Sequence, residues 1–299
     1  MTISIASPFV DCIAPDWASG WGQDQFGYFA EFSVKVGDMY WDYLTQRMRW
    51  VPPGTFKMGT PTDKTWRSDD EIPRQVTISD GFWIADTTCT QEMWAAVMGN
   101  NPSEFKGEKR PVEMVSHTDA LEYCDRLNTR IPSLNLRLPT EGEWEYACRS
   151  GTDTAFSFGN TISSDQVNFN GNFPMEGMPK SEYRRTTIDC KSMLPNAWGL
   201  YQMHGNVSEW CQDWYGDYDP KGVMDPTGPS SGSVRVVRGG GWVSGAGSAR
   251  SAYRGVGPPS GRGGGVGFRC LSSVNPSAEQ ASATKSEPRD EAAEERRAQ

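Results

Sequence analysis

The stretch that most constrains this chain is RVVRGGGWVSGAGSARSAYRGVGPPSGRGGGVGFRC, residues 235–270. Twelve of the chain's 32 glycines fall between Arg238 and Phe268, and no Asp, Glu or Lys occurs from Arg235 to Val274. Each glycine loses more backbone freedom on folding than any other residue, so such a segment is either a flexible linker or a backbone held by its other residues. Two sets interleave here. Arg238, Gly239, Gly240, Trp242, Arg250, Ser251, Ala252, Arg254, Arg262, Gly267, Phe268 and Arg269 read as framework. Between them lie runs of Gly, Ser, Val, Ala, Pro and Tyr. The spaced arginines and aromatics favour order over a linker. A phosphate-cradling loop is disfavoured, because no Gly-Lys-Ser/Thr follows any glycine cluster and Gly245-Ala246-Gly247 lacks the third spaced glycine of a dinucleotide fingerprint.

The length of 299 residues allows one large domain or two ordinary ones. Abundant Trp, Phe and Tyr can fill a core, while 32 Gly and 20 Pro imply that turns rather than long helices wrap it. A net charge of −9 disfavours a nucleic-acid partner, whose affinity comes from Lys and Arg neutralising phosphates. No run approaches the roughly 18–20 apolar residues of a membrane span. The N-terminus has no basic region and carries Asp11 early, a poor signal peptide. Seven scattered cysteines without a C-x-x-C pair fit reduced, buried thiols and a cytoplasmic location. With only His117 and His204, a three-histidine metal site is excluded.

Taken in order, residues 1–49 are aromatic-rich and hold an alternating strand at 30–36 with a partner at 46–51, a hairpin expected to pack on the main domain. The main domain is expected over 50–270. Strands are predicted at 74–79 and 82–85. Thr90 caps a helix over 92–98 that Gly99 stops. Ser116 with Asp119 begins a second helix presenting Ala120, Cys124 and Leu127 on one face. After a short strand from Leu136, Thr140 and Glu143 form a capping box with Trp144 and Cys148 on one face. Asp69, Asp70 and Glu71 read as a solvated charge run, and the two histidines as capping or buried polar residues. Residues 151–187 hold little regular structure, which implies that the stretch is functional or held by ions or packing. Residues 271–299 are expected to be a disordered or loosely helical tail.

VPPGTFKMG (51–59), RLPTEGEWEYACRSG (137–151), PNAWGLYQMHGNVSEW (195–210) and RVVRGGGW…SAYR…VGFRC (235–270) occur in that order. Together they resemble the formylglycine-generating enzyme (sulfatase-modifying factor) superfamily. The resemblance implies an α+β fold, a divergent C-type lectin domain with little regular secondary structure. Oxidase members hold copper with two cysteines between the RGGS-type and GFRC motifs. Here Gly241 to Phe268 contains no Cys, and Ser244 stands where the first resembles it; a hydroxyl is no soft ligand for Cu(I). No copper and no enzyme activity are therefore expected. The fixed-and-free pattern resembles instead the variable proteins of diversity-generating retroelements, whose C-terminal segment (here 238–268) is rewritten while a rigid base displays it. Such segments usually end the chain, whereas here about thirty residues follow.

On that reading the ligand-binding positions are Val243, Ser244, Gly245, Gly247, Ser248, Tyr253, Gly255, Val256, Gly257, Ser260, Gly263, Gly264 and Gly265. The ligand is unknown and expected to be a protein, not nucleic acid or membrane. The plainer alternative is that these glycines are tight-turn residues. Gly and Ser make weak anchors, leaving Tyr253 as the strong candidate. The resemblance also implies a structural Ca²⁺ at Asn206, Val207 (through its carbonyl) and Glu209, with Asn168 and Phe169 near a second. The alternative is that Asn206 and Glu209 cap a turn and pair with an arginine. Two other functions stay open: an enzyme, intact or degenerate, using the same cleft, or an accessory domain of a signalling or ATPase system that docks through its aromatic N-terminal region.

Overall fold

A computed structural model describes residues 14–39 and 42–273. Cys12, Tyr40, Trp41 and residues 274–299 of the expected tail lie outside the described residues. The elements are β1 (Gly20–Asp24), β2 (Gly27–Lys35), β3 (Tyr43–Val51), β4 (Gly54–Met58), β5 (Arg74–Ile78), β6 (Phe82–Ala85), α1 (Gln91–Met98), α2 (His117–Arg130) and β7 (Leu136–Arg137). They continue with α3 (Glu141–Arg149), β8 (Ser208–Trp214), β9 (Val223–Met224), β10 (Arg235–Arg238), β11 (Gly255–Gly257), β12 (Val266–Gly267) and β13 (Leu271–Ser272). Among the described residues they form a six-stranded sheet ordered β1-β2-β3-β6-β13-β7, a four-stranded sheet β11-β10-β8-β12 and a three-stranded sheet β4-β5-β9.

The local signals for helix starts hold. Thr90 accepts from the Met93 amide, and Gly99 ends α1 at φ 80°. Ser116/Asp119 and Thr140/Glu143 make reciprocal capping boxes. These motifs satisfy backbone donors that the first helical turn leaves unpaired.

Two boundaries move and one strand is added. The division at 49/50 falls inside β3, which pairs with β2 on one side and β6 on the other. The N-terminal hairpin thus extends the main sheet instead of packing on it, because pairing satisfies the β6 edge that would otherwise be exposed. β1, unforeseen, adds a further strand through a turn at Gly27 (φ 104°). At the other end the domain does not stop at 270: Leu271, fully buried, and Ser272 form β13 between β6 and β7.

α1 and α2 pack on the six-stranded sheet over a core that includes Met48, Trp83, Met93, Leu127 and Phe268. Phe268 meets Trp94 and Tyr123 edge-on at 6.0 and 5.3 Å, so the end of the Gly-rich segment is pinned between the two helices. α3 covers a second core with Trp144, Ala147, Val236 and Leu271. Residues 151–207 contain isolated bridges but no helix or strand. A third core, in which Phe156, Val167, Phe169 and Met178 pack on Ala246 and Ala249, orders that stretch against the Gly-rich segment.

Candidate binding surface

The Gly-rich segment is ordered by buried charge. Arg238, at the end of β10, donates to Glu141 at 2.8 Å and to Glu145, both on α3. Arg254 grips the same Glu141 at 2.8 and 2.9 Å and lies 3.8 Å above the Tyr218 ring. Arg250 forms a bidentate pair with Glu71, and Arg269 one with Glu209. All four arginines are buried. Burial alone would raise the carboxyls of Glu71 and Glu141; the facing guanidinium groups outweigh it and lower both pKa values. Glu71 is therefore no member of a solvated run but a fully buried partner of the segment. On α3, Glu141, Glu145 and Arg149 stand four residues apart, so one helix face carries a buried ionic stripe. That spacing was visible in the sequence. Its link to Arg238 and Arg254 was not.

Two framework residues behave differently. Arg262 is half-exposed and pairs with Asp119 at the surface, and Trp242 is only partly buried. At the turn following Arg238, Gly239 and Gly240 have φ of 85° and 65°, and a Cβ on Gly240 would sit 2.7 Å from the Ser248 carbonyl oxygen. Glycine is required there.

None of the thirteen expected binding positions is buried, and Val243, Val256 and Ser260 are exposed. They do not form one patch. Gly255, Val256 and Gly257 make the edge strand β11, whereas Gly263–Gly265 lead into β12 at the opposite edge of the four-stranded sheet. Val243, Ser244 and Gly245 lie with the β12 side: a Cβ on Gly265 would contact Val243 at 3.6 Å. Gly247 and Ser248 ride a short 3-10 turn whose Ala246 and Ala249 point inward. Tyr253 lies half-buried, 5.9 Å from the Arg250 guanidinium.

Space around the glycines separates them further. A side chain on Gly247 meets nothing within 4 Å, and on Gly263 only Val266 at 3.9 Å. On Gly257 it would strike Trp210 at 2.6 Å, on Gly255 Val237 at 2.8 Å, and on Gly245 Phe173 at 3.0 Å. Gly255 and Gly257 are thus close-packing glycines, as the plainer sequence reading has them, because bulky side chains press on that strand. Ser244 also spends its hydroxyl internally, accepting the Gly241 amide at 3.1 Å in a turn.

Both Glu209 oxygens are taken, by Arg269 at 2.7 and 2.8 Å and by the Trp144 indole at 2.7 Å. The Asn206 amide oxygen accepts from Asn168 and Ile188, and its nitrogen donates to Ile188 and Gln202. A cation at Asn206, Val207 and Glu209 would face a guanidinium in place of an open carboxylate, so that set does not fit the ion. At the other position the Asn168 Oδ1 is buried without a partner among the described residues, which leaves one hard oxygen free for a ligand.

The six described cysteines are buried and form no disulfide, and burial pushes the Cys148 and Cys190 thiols up to about 12. Cys124 and Cys270 lie with their sulfurs 3.7 Å apart. His204 is buried; its Nδ1 donates to the Ala249 carbonyl at 2.7 Å and its Nε2 accepts from the Ser157 amide at 3.0 Å. Burial lowers its pKa to about 4. Among the described residues no helix is long and apolar enough to cross a membrane.

Helices α1 and α2 on one face of an antiparallel six-stranded sheet with the α3 core on the other, long ordered loops and an arginine-pinned C-terminal segment define an α+β domain of the divergent C-type lectin kind. The chain belongs to the sulfatase-modifying factor family: the sulfatase-modifying factor enzyme 1-like domain matches residues 42–274. It is 33% identical over 264 residues to the chaperone protein LppX of Paenibacillus barcinonensis, covering 75% of this chain and 88% of that one. It is 32% identical over 291 residues to the formylglycine-generating enzyme of Mus musculus, covering 77% and 76%. Among solved structures it is similar to Treponema denticola variable protein 1, with a TM-score of 0.69 and 28% identity over 82% of this chain and 99% of that one. PvdO from Pseudomonas aeruginosa shares the fold at a TM-score of 0.64 and 23% identity, over 86% and 99%.

Proposed function

We propose that this chain is a non-catalytic ligand-binding protein whose surface, in residues 238–268, is diversified by a retroelement and binds a protein partner. The observation that carries the reading is a contrast within one segment. Arg238, Arg250, Arg254, Phe268 and Arg269 are buried, while every expected binding position between them reaches solvent. A base held by desolvated ion pairs and packed aromatics tolerates change in the side chains it displays. The likeness to Treponema denticola variable protein 1 supports the same reading. Gly247, Gly263 and Gly265 have open surroundings, and Gly264 meets only the movable end of Glu104 closely, so we take these, with Val243, Ser248, Tyr253, Val256 and Ser260, as the exchangeable set. The thiol pattern and net charge of −9 favour a cytoplasmic protein without nucleic-acid or membrane partners.

Kinship with formylglycine-generating enzymes favours a second reading, an enzyme working from the same cleft. Copper chemistry is disfavoured by Ser244, whose hydroxyl closes a turn.

The test is a library randomised at Val243, Gly247, Gly263 and Gly265. Variants should keep the parent's melting temperature and yield binders when selected against a panel of purified proteins. General unfolding of the library would sink the reading. A near-identical DNA repeat downstream, differing only at adenines, is the expected genomic mark of the retroelement.

A further inference from the structure

We propose that the surface at Gly264 takes the cationic side chain of a lysine or arginine from a protein partner, between the Glu104 carboxylate and the rings of Phe105 and Trp242. This rests on the binding-surface reading and names the chemistry one part of it selects.

Two carboxylates converge here. A Cβ placed on Gly264 would lie 2.8 Å from an oxygen of Glu104 and 3.6 Å from one of Glu113. Glu104 is exposed and forms no ion pair among the described residues. Glu113 is fully buried; one oxygen accepts the Phe105 amide at 2.8 Å, while the other has no partner. Burial raises the Glu113 pKa, the Phe105 and Glu104 amides and the Lys106 charge oppose that, and the Glu104 charge adds to it. An incoming cation relieves that repulsion, and its field is little screened because Glu113 is out of water.

Aromatic walls flank the carboxylates. Phe105 meets Trp242 edge-on at 5.1 Å, and Tyr183 stacks with Trp242 at 6.1 Å. The Trp242 indole donates to the Gly264 carbonyl at 2.8 Å, which fixes the ring beside the entry. Val243 (53% exposed), which a Cβ on the neighbouring Gly265 would meet at 3.6 Å, adds an apolar edge. Native cations do not fill the place: Lys106 is hydrogen-bonded to the Asn101 carbonyl, and Arg185 lies over Tyr183. One open carboxylate between rings is a poor shell for a hard metal ion. It suits an organic cation with an apolar stem, held by cation–π attraction and a charge-assisted hydrogen bond. Glycine at 264 keeps the entry open.

The chain, labelled with nitrogen-15, is titrated with the blocked peptides Ac-Gly-Arg-Gly-NH2, Ac-Gly-Lys-Gly-NH2 and Ac-Gly-Gln-Gly-NH2. The basic peptides should shift the Trp242 indole and the 263–265 amide resonances, and the neutral one should not. Glu104→Gln should weaken the response about ten- to a hundredfold, the order of one hydrogen bond to an ionised group. Gly264→Arg, which places a guanidinium there in cis, should abolish it. Equal shifts with the neutral peptide, or an unchanged titration in Glu104→Gln, would overturn the assignment. Basic-peptide binding alongside a failed library supports the site without the variable surface. A productive library with no response to basic peptides rejects this site alone.

Discussion

The Arg250 guanidinium closes a bidentate pair on the Glu71 carboxylate across 179 positions of sequence, and both groups are withdrawn from water. That pair ties the Gly-rich segment to the loop after β4. With the pairs at Glu141, Glu145 and Glu209 it holds a glycine-laden backbone in one conformation.

Removing one partner leaves a buried charge alone. Arg250→Ala is expected to destabilise the chain by about 3–5 kcal/mol in urea unfolding. Arg250→Met combined with Glu71→Leu should recover most of that, since the desolvation cost disappears with both charges. Equal losses for the single and the double variant would show that the pair is not what orders the segment.

The glycines should divide by the space around them. Gly257→Ala presses on Trp210 and is expected to cost about 1–3 kcal/mol. Gly247→Ser and Gly263→Ser, with open surroundings, should stay within about 0.5 kcal/mol of the parent. Thermal unfolding of the three variants side by side decides this.

Asp213 gives a pH signature. Burial, then the charge of Glu141, lifts its carboxyl from 3.8 to about 7. A raised carboxyl contributes stability that is complete below the unfolded value and lost as pH climbs through the folded one. Asp213→Asn should therefore gain on the parent between about pH 4 and 7, by up to about 1.4 kcal/mol per unit. His117 and His204, both lowered to about 4 by burial, act the other way in parent and variant alike. The difference between the two stability curves isolates Asp213, and a flat difference would refute its perturbed state.

Calcium should not be what holds Glu209. Because Arg269 and Trp144 occupy its oxygens, Glu209→Gln is expected to lower the melting temperature equally in calcium and in chelator. A loss seen only in calcium would place the ion there. A calcium response abolished by Asn168→Ala would instead mark the Asn168 oxygen as a ligand.

The order of residues by itself determined the helix starts at Thr90, Ser116 and Thr140, the close of α1 at Gly99, and the family and its fold through four motifs in sequence. Caps are local: donor and acceptor lie three residues apart, so a short window contains the whole interaction. It also read the Gly-rich segment as framework residues alternating with expected binding positions, counting Trp242 and Arg262 with Arg238, Arg250, Arg254 and Arg269 as framework. Tertiary structure alone decided what each framework residue meets and which glycines are free. Glu71 reads as one more surface acid until Arg250 arrives from 179 residues away. Gly257 and Gly247 are indistinguishable as letters, yet one backs onto Trp210 and the other onto open space. Excluded volume and desolvation act between atoms that the fold brings together, and neither can be read from neighbours in the chain.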